Sequence, residues 1–173
     1  FPYTTLFRSV NITNTFAMFG DLLHHSYIFE SIGNAVMISA VIIGVLLILF
    51  GKFNSNWKLY AIISLFLVMV PGFSYVYSIA YMLIPLVAFL NEKKTRKSDY
   101  IYLLLFILQF GLFIAKKDEL FSQFEGSELA LNITTLIESV VLLLMMAMLY
   151  LDGIITTFKS YKGKKILHIP ANA

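Results

Sequence analysis

Cysteine is absent from the 173 residues, which excludes a disulfide framework and thiolate chemistry. Charge is scarce too: only 13% of residues are Asp, Glu, Lys or Arg, roughly half the share of an ordinary soluble domain. No glycine-rich phosphate loop, zinc signature, serine-nucleophile elbow or usefully spaced carboxylate pair occurs. The chain therefore holds no self-sufficient active site, and nothing in it calls for a metal or a cofactor. A net charge of +3, with its lysines close to apolar runs, is too small to argue for a nucleic-acid partner. Proline occurs four times, so helix breaks are few and each one carries weight.

What is present is apolar. Hydrophobic residues make up 59% of the chain and the mean hydropathy is +0.81. A water-soluble fold could not hide that much apolar surface, whereas each uncharged run of about 20 residues can cross a hydrocarbon core as a helix that satisfies its own backbone. The expected fold class is all-α, a polytopic transmembrane helical bundle in contact with membrane lipid.

Phe1 to Ser9, FPYTTLFRS, back-translates as TTT CCC TAC ACG ACG CTC TTC CGA TCT, which resembles the end of a common sequencing adapter. The expectation is that residues 1–9 are an artefact and that the natural chain continues upstream of Val10.

Ile32 to Phe50 is an uncharged run of 19 residues, long enough to span. Leu59 to Leu90 is uncharged over 32 residues, about 48 Å as a helix, too long for one crossing and slightly short for two. Pro71-Gly72 supplies the break, because proline removes a helical donor and glycine tolerates a sharp turn. This predicts a helical hairpin, Trp57 to Val70 and Ser74 to Leu90, with Pro85 kinking the second arm. Tyr100 to Ala115 and Leu131 to Leu151 complete about five spans, and 159–173 is a basic tail. With the N-terminal side outside, Lys52, Lys58, Lys93, Lys94, Arg96, Lys97, Lys159, Lys162, Lys164 and Lys165 fall inside, and only Lys116 and Lys117 fall outside. Were Leu59 to Leu90 a single span, the Lys93 to Lys97 cluster would face away from Lys52 and Lys58. Residues 10–30 and the turn at Pro71 then lie on the exterior, and the C-terminus is cytoplasmic.

The exterior segment mixes Phe16, Met18, Phe19, Leu22 and Leu23 with Asp21, His24 and His25, which suits a helix lying in the membrane interface, either as a plain connector or at the mouth of a lipid-head-group site. Adjacent His24 and His25 point to different helix faces, which argues against a shared metal site. Glu138 is the ionisable residue deepest within a predicted span, with Thr134 and Thr135 placed to donate to it. It is either part of an external polar cavity or a protonated or helix-pairing group. Asn34 and Gln109 are expected to hydrogen-bond between helices. Trp57, Tyr60, Tyr75, Tyr77 and Tyr81 fit interfacial belts. The Asn-x-Thr sequons at Asn11 and Asn132 are short enough to arise by chance.

The stretch LVMVPGFSYVYSIAYMLIPLVAFLNEKK, Leu67 to Lys94, resembles integral-membrane glycosyltransferases of the GT-C superfamily, particularly glycosyltransferase family 87. A short helix, a proline before a Ser and Tyr cluster, and a proline-containing helix ending in a basic loop carry the likeness. NITNTFAMFGDLL, Asn11 to Leu23, is similar to that family's polar-then-apolar external loop. The resemblance implies transfer of a hexose, often mannose, from a polyprenyl-phosphate-linked donor to an acceptor on the outer face of the membrane. It further implies a multi-pass protein of the bacterial inner membrane. The family's catalytic aspartate, in an early external loop, has no match here, so this chain is expected to be a fragment without its catalytic loop. Asp21, His24, His25, Tyr75 and Glu138 are the candidate lining of the substrate cavity. Two other readings compete: a transporter or lipid-linked-oligosaccharide flippase, and a non-enzymatic membrane assembly subunit.

Because the chain lacks cysteine, any introduced cysteine is the sole thiol. An impermeant maleimide should label Tyr75→Cys from outside intact cells and reach Lys94→Cys only after permeabilisation. Labelling of both from one side would remove the hairpin.

Overall fold

The structure is a computed structural model and describes residues 10–71, 80–93, 97–115 and 128–166. Those residues form helices and their connections, with no strand among them. In order the helices are α1 (Ile12–Leu23), α2 (Ser26–Phe50), α3 (Asn56–Met69), α4 (Leu83–Asn91), α5 (Lys97–Ala115) and α6 (Glu128–Ile166).

The start of α1 is set by Asn11. Its side-chain oxygen accepts the Asn14 N–H at 2.7 Å and the Thr13 hydroxyl at 3.0 Å, satisfying a donor that a helix N-terminus otherwise leaves orphaned. Its amide nitrogen donates to the Pro71 carbonyl at 3.3 Å, tying the start of α1 to the end of α3. The sequon at Asn11 is thus a buried cap and tether. At the far end of α1 the chain reverses within two residues. His24 adopts the left-handed conformation (φ 57°) and the His25 N–H bonds the Gly20 carbonyl at 2.9 Å. Helix α1 then runs antiparallel along the first half of α2. A Cβ on Gly20 would come within 2.8 Å of Ser26 Cα, and one on Gly33 within 2.8 Å of Phe16 Cβ, so both glycines are points of close backbone approach.

Helices α2 and α6 run side by side in the same direction, since Ala40 and Gly44 face Tyr150, Leu47 faces Gly153, and the Lys52 N–H donates to Thr157 Oγ1 at 2.9 Å. Ala40 and Gly44 form a small-xxx-small step that makes room for the Tyr150 ring, whose hydroxyl donates to the Ala40 carbonyl at 2.9 Å. Helices α3 and α4 are antiparallel, with the Trp57 ring edge-on to Phe89 at 4.9 Å. Helix α5 returns alongside them and brings Tyr102 to 5.0 Å from Trp57 and Phe106 to 5.5 Å from Phe89. Each such aromatic pair contributes about 0.5–1.5 kcal/mol beyond its area. Trp57 is only 2% exposed. It packs in the core where sequence analysis expects a belt residue, because its neighbours on three helices are rings. Pro85 stands in the first turn of α4, where a proline forfeits no helical hydrogen bond. The expected arm from Ser74 lies partly outside the described residues.

These contacts gather Lys52, Lys58, Lys93, Lys97 and Lys159 at one end of the bundle, while the α1–α2 turn marks the other; Asn11 meets Pro71 at the opposite end of α1 from that turn. Apolar side chains are exposed in number around a core that is itself mainly apolar. Ile28, Ile38, Leu46, Leu49, Ile84, Val87, Leu104, Ile107, Leu144 and Leu151 are exposed, whereas Asn11, Thr15, Lys58, Ser64, Asp99, Gln109, Glu138 and Ser139 are buried. Among the described residues, two helices are long and apolar enough to cross a membrane: α2, mean hydropathy 2.6, and residues Leu136–Lys162 of α6, mean hydropathy 2.1. Their most apolar windows are only 22% and 39% buried, unlike the core helix of a soluble protein.

Gly44→Ala pushes against the Tyr150 hydroxyl and Phe66 and should destabilise the bundle by about 1–3 kcal/mol. Gly111→Ala, which meets nothing within 4 Å, should gain about 0.5–1 kcal/mol of helix propensity. Thermal unfolding in detergent, followed by circular dichroism, checks both.

Candidate functional site

The expected cavity residues do not converge. Asp21, His24 and His25 are exposed at the tip of the α1–α2 hairpin. There the Asp21 carboxylate accepts from the Ser26 hydroxyl at 3.4 Å, and His24 and His25 make the turn. Glu138 is fully buried on α6 next to Ser139. Tyr75 lies outside the described residues, as do the side chains of Thr134 and Thr135. Of the expected interhelical hydrogen-bonders, Asn34 sits on the exposed face of α2. Gln109 is fully buried, but its amide oxygen and nitrogen find no partner among the described residues.

What the helices do assemble is a polar cluster at the lysine-rich end. The Lys58 ammonium, on a side chain 3% exposed, pairs with the Asp152 carboxylate of α6, 26% exposed. The same ammonium lies 5.5 Å from the Trp57 ring centroid and 5.7 Å from that of Tyr102, so two aromatic faces share its charge. Asp99, nearly buried in the first turn of α5, lies where the helix dipole favours a carboxylate. Removing a charge from water costs several kcal/mol per ion, which only a close, well-bonded counter-charge offsets. Sequence analysis counts Lys58 as a topology signal and passes over Asp152. The available signal is that Asp152 closes a long apolar run and so requires a cation within reach.

Beside this pair opens a cleft of about 620 Å³, lined by Lys52, Phe53, Asn54, Asp152, Ile155, Thr156, Lys159 and Ser160. It forms where the α2–α3 connection folds over α6. A Cβ on Gly153 would lie 2.8 Å from the Phe53 ring, so Phe53 seats on bare backbone, and the Lys52 N–H to Thr157 bond pins the connection. The cleft offers ammonium and hydroxyl donors without a nucleophile and base in register, so its chemistry is binding.

Fold and site together define an all-helical bundle with an apolar exterior and an internal ion pair. No protein-family model, no curated protein and no solved structure matches the chain.

Lys58→Met removes the charge-assisted bond to the partly exposed Asp152 carboxylate and should cost about 1.5–3 kcal/mol. The double change Lys58→Met/Asp152→Leu should recover stability to the wild-type level or above. Urea unfolding in detergent, read by the fluorescence of the single tryptophan, Trp57, checks both variants.

Proposed function

We propose that the chain is a five-crossing membrane domain, with crossings near residues 32–50, 57–70, 74–90, 100–115 and 131–151 and the C-terminus cytoplasmic. In this reading it forms a wall of the outer-face cavity of a bacterial inner-membrane hexosyltransferase that uses a polyprenyl-phosphate sugar. The membrane part of the proposal is carried by the aliphatic side chains exposed on every helix from α2 to α6, together with the burial of Lys58, Asp99, Gln109 and Glu138. The parallel course of α2 and α6 supports an even number of turns between them, as five crossings require, and the basic end supports the orientation. The sugar-transfer part rests on the Leu67 to Lys94 resemblance. Asn11, Thr15, Glu138 and Ser139 are buried polar residues, as a reading with an internal polar cavity requires.

Three ionisable groups in apolar surroundings, Lys58, Asp152 and Glu138, favour transport of a polar solute as a second reading. In that case Glu138→Gln abolishes solute flux into proteoliposomes without altering donor binding.

A photoreactive polyprenyl-phosphate hexose should label the reconstituted protein saturably, in peptides containing Tyr75 or Glu138, and unlabelled polyprenyl phosphate should compete. Labelling that rises linearly with probe, or that spreads evenly over the lipid-facing helices, would overturn the sugar-transfer reading.

A further inference from the structure

We infer that the cleft between the α2–α3 connection and α6 is a binding site for the phosphate headgroup of an anionic phospholipid in the leaflet at the lysine-rich end. This rests on the membrane reading above, although not on sugar transfer. Lys52, on the α2–α3 connection, and Lys159, on α6, both line the cleft, and neither has an ion-pair partner among the described residues. The one carboxylate in the lining, Asp152, is already neutralised by Lys58, so the cleft carries two uncompensated positive charges. Thr156 and Ser160, one helical turn apart on α6, present hydroxyl donors between those charges. This set suits a phosphate diester: two cations for its charge, hydroxyls for its non-bridging oxygens, and a floor held rigid by Phe53 on Gly153.

The surroundings distinguish a lipid from a free anion. Leu151, Ile155 and Phe158 on α6, with Leu49 and Phe50 on α2, are exposed beside the cleft and lead from it along the bundle flank. Acyl chains attached to a phosphate in the cleft would lie along these side chains, so headgroup and tails each meet matching chemistry. An inorganic phosphate would use only the polar half. Juxtamembrane lysines attract anionic lipid with about 1 kcal/mol each, and here two of them converge on one volume.

The test uses the full chain in phosphatidylcholine nanodiscs containing phosphatidylglycerol, with bound lipid counted by native mass spectrometry after mild delipidation. The chain should retain phosphatidylglycerol over phosphatidylcholine. Lys52→Gln/Lys159→Gln should weaken that retention about thirtyfold, the equivalent of about 1 kcal/mol per lysine. Lys93→Gln, at the same end but outside the cleft, should leave it unchanged. Because the bond from Lys52 to Thr157 uses the backbone N–H, the double variant should keep its unfolding temperature. Equal retention by the double variant and by Lys93→Gln would overturn the site while leaving the membrane reading intact. Displacement of the lipid by millimolar inorganic phosphate would overturn the lipid in favour of a free anion. A chain that stays outside the nanodiscs would overturn both readings.

Discussion

The ion pair between Lys58 and Asp152 is where three helices of this bundle meet. Helix α3 supplies the cation, α6 the carboxylate, and α5 contributes Tyr102 to the aromatic wall that Trp57 begins. Neither charge can be accommodated alone in such surroundings, and a sliding helix would separate them. The pair therefore acts as a register lock between α3 and α6 more than as a source of net stability. Tyr150 lies two residues before Asp152 on α6. Once α6 is fixed in depth, the Tyr150 hydroxyl meets the Ala40 carbonyl and its ring meets Gly44, so the position of α2 follows from the same constraint.

Around that lock, large aliphatic side chains are exposed on every helix from α2 to α6, and polar residues such as Gln109 and Glu138 are buried within an apolar core. A helix interface without a hydrophobic driving force depends on close approach and internal hydrogen bonds. Both are present: glycines at positions 20, 33, 44 and 153 let neighbours touch backbone, and Asn11 serves α1 as a cap while its amide holds Pro71. The buried Gln109 amide fits the same frame, as a polar group turned inward instead of toward the apolar exterior.

Hydropathy and charge counting reach the helical class, the long apolar run within α2 and the clustering of lysines, because these are summed properties of many residues. They do not reach the contacts that place one helix on another. Trp57 and Tyr60 look alike as interfacial aromatics, yet Trp57 is buried and Tyr60 is 45% exposed. The difference is their direction around α3, and α3 is too evenly apolar for its sequence to declare an inward face. Asn11 reads as a chance sequon because its cap role shows only once Asn14 and Pro71 are brought to it. The expected cavity residues fail to converge for a related reason: residues 10–30 were treated as one exterior strip, whereas the tight turn at His24 and His25 folds α1 back along α2 and leaves Asp21 at the tip. Asp152 was overlooked because an acid at the end of an apolar run is conspicuous only beside its partner, 94 residues away in sequence.

Counting basic residues to assign sides treats every lysine as equivalent, and the packing shows why that averages over different physics. Lys58 is withdrawn from water and neutralised by Asp152, so it adds little to the field at the bundle end. Lys52 and Lys159 line the cleft and have no ion-pair partner among the described residues. The neutralised lysine makes the other two effective, since without it the Asp152 carboxylate would stand in the cleft wall and cancel half of their charge. A residue that serves as a structural lock at one level thereby sets the electrostatics of a binding surface at the next. The polarity of that surface follows from the order in which charges are satisfied, and their number alone does not determine it.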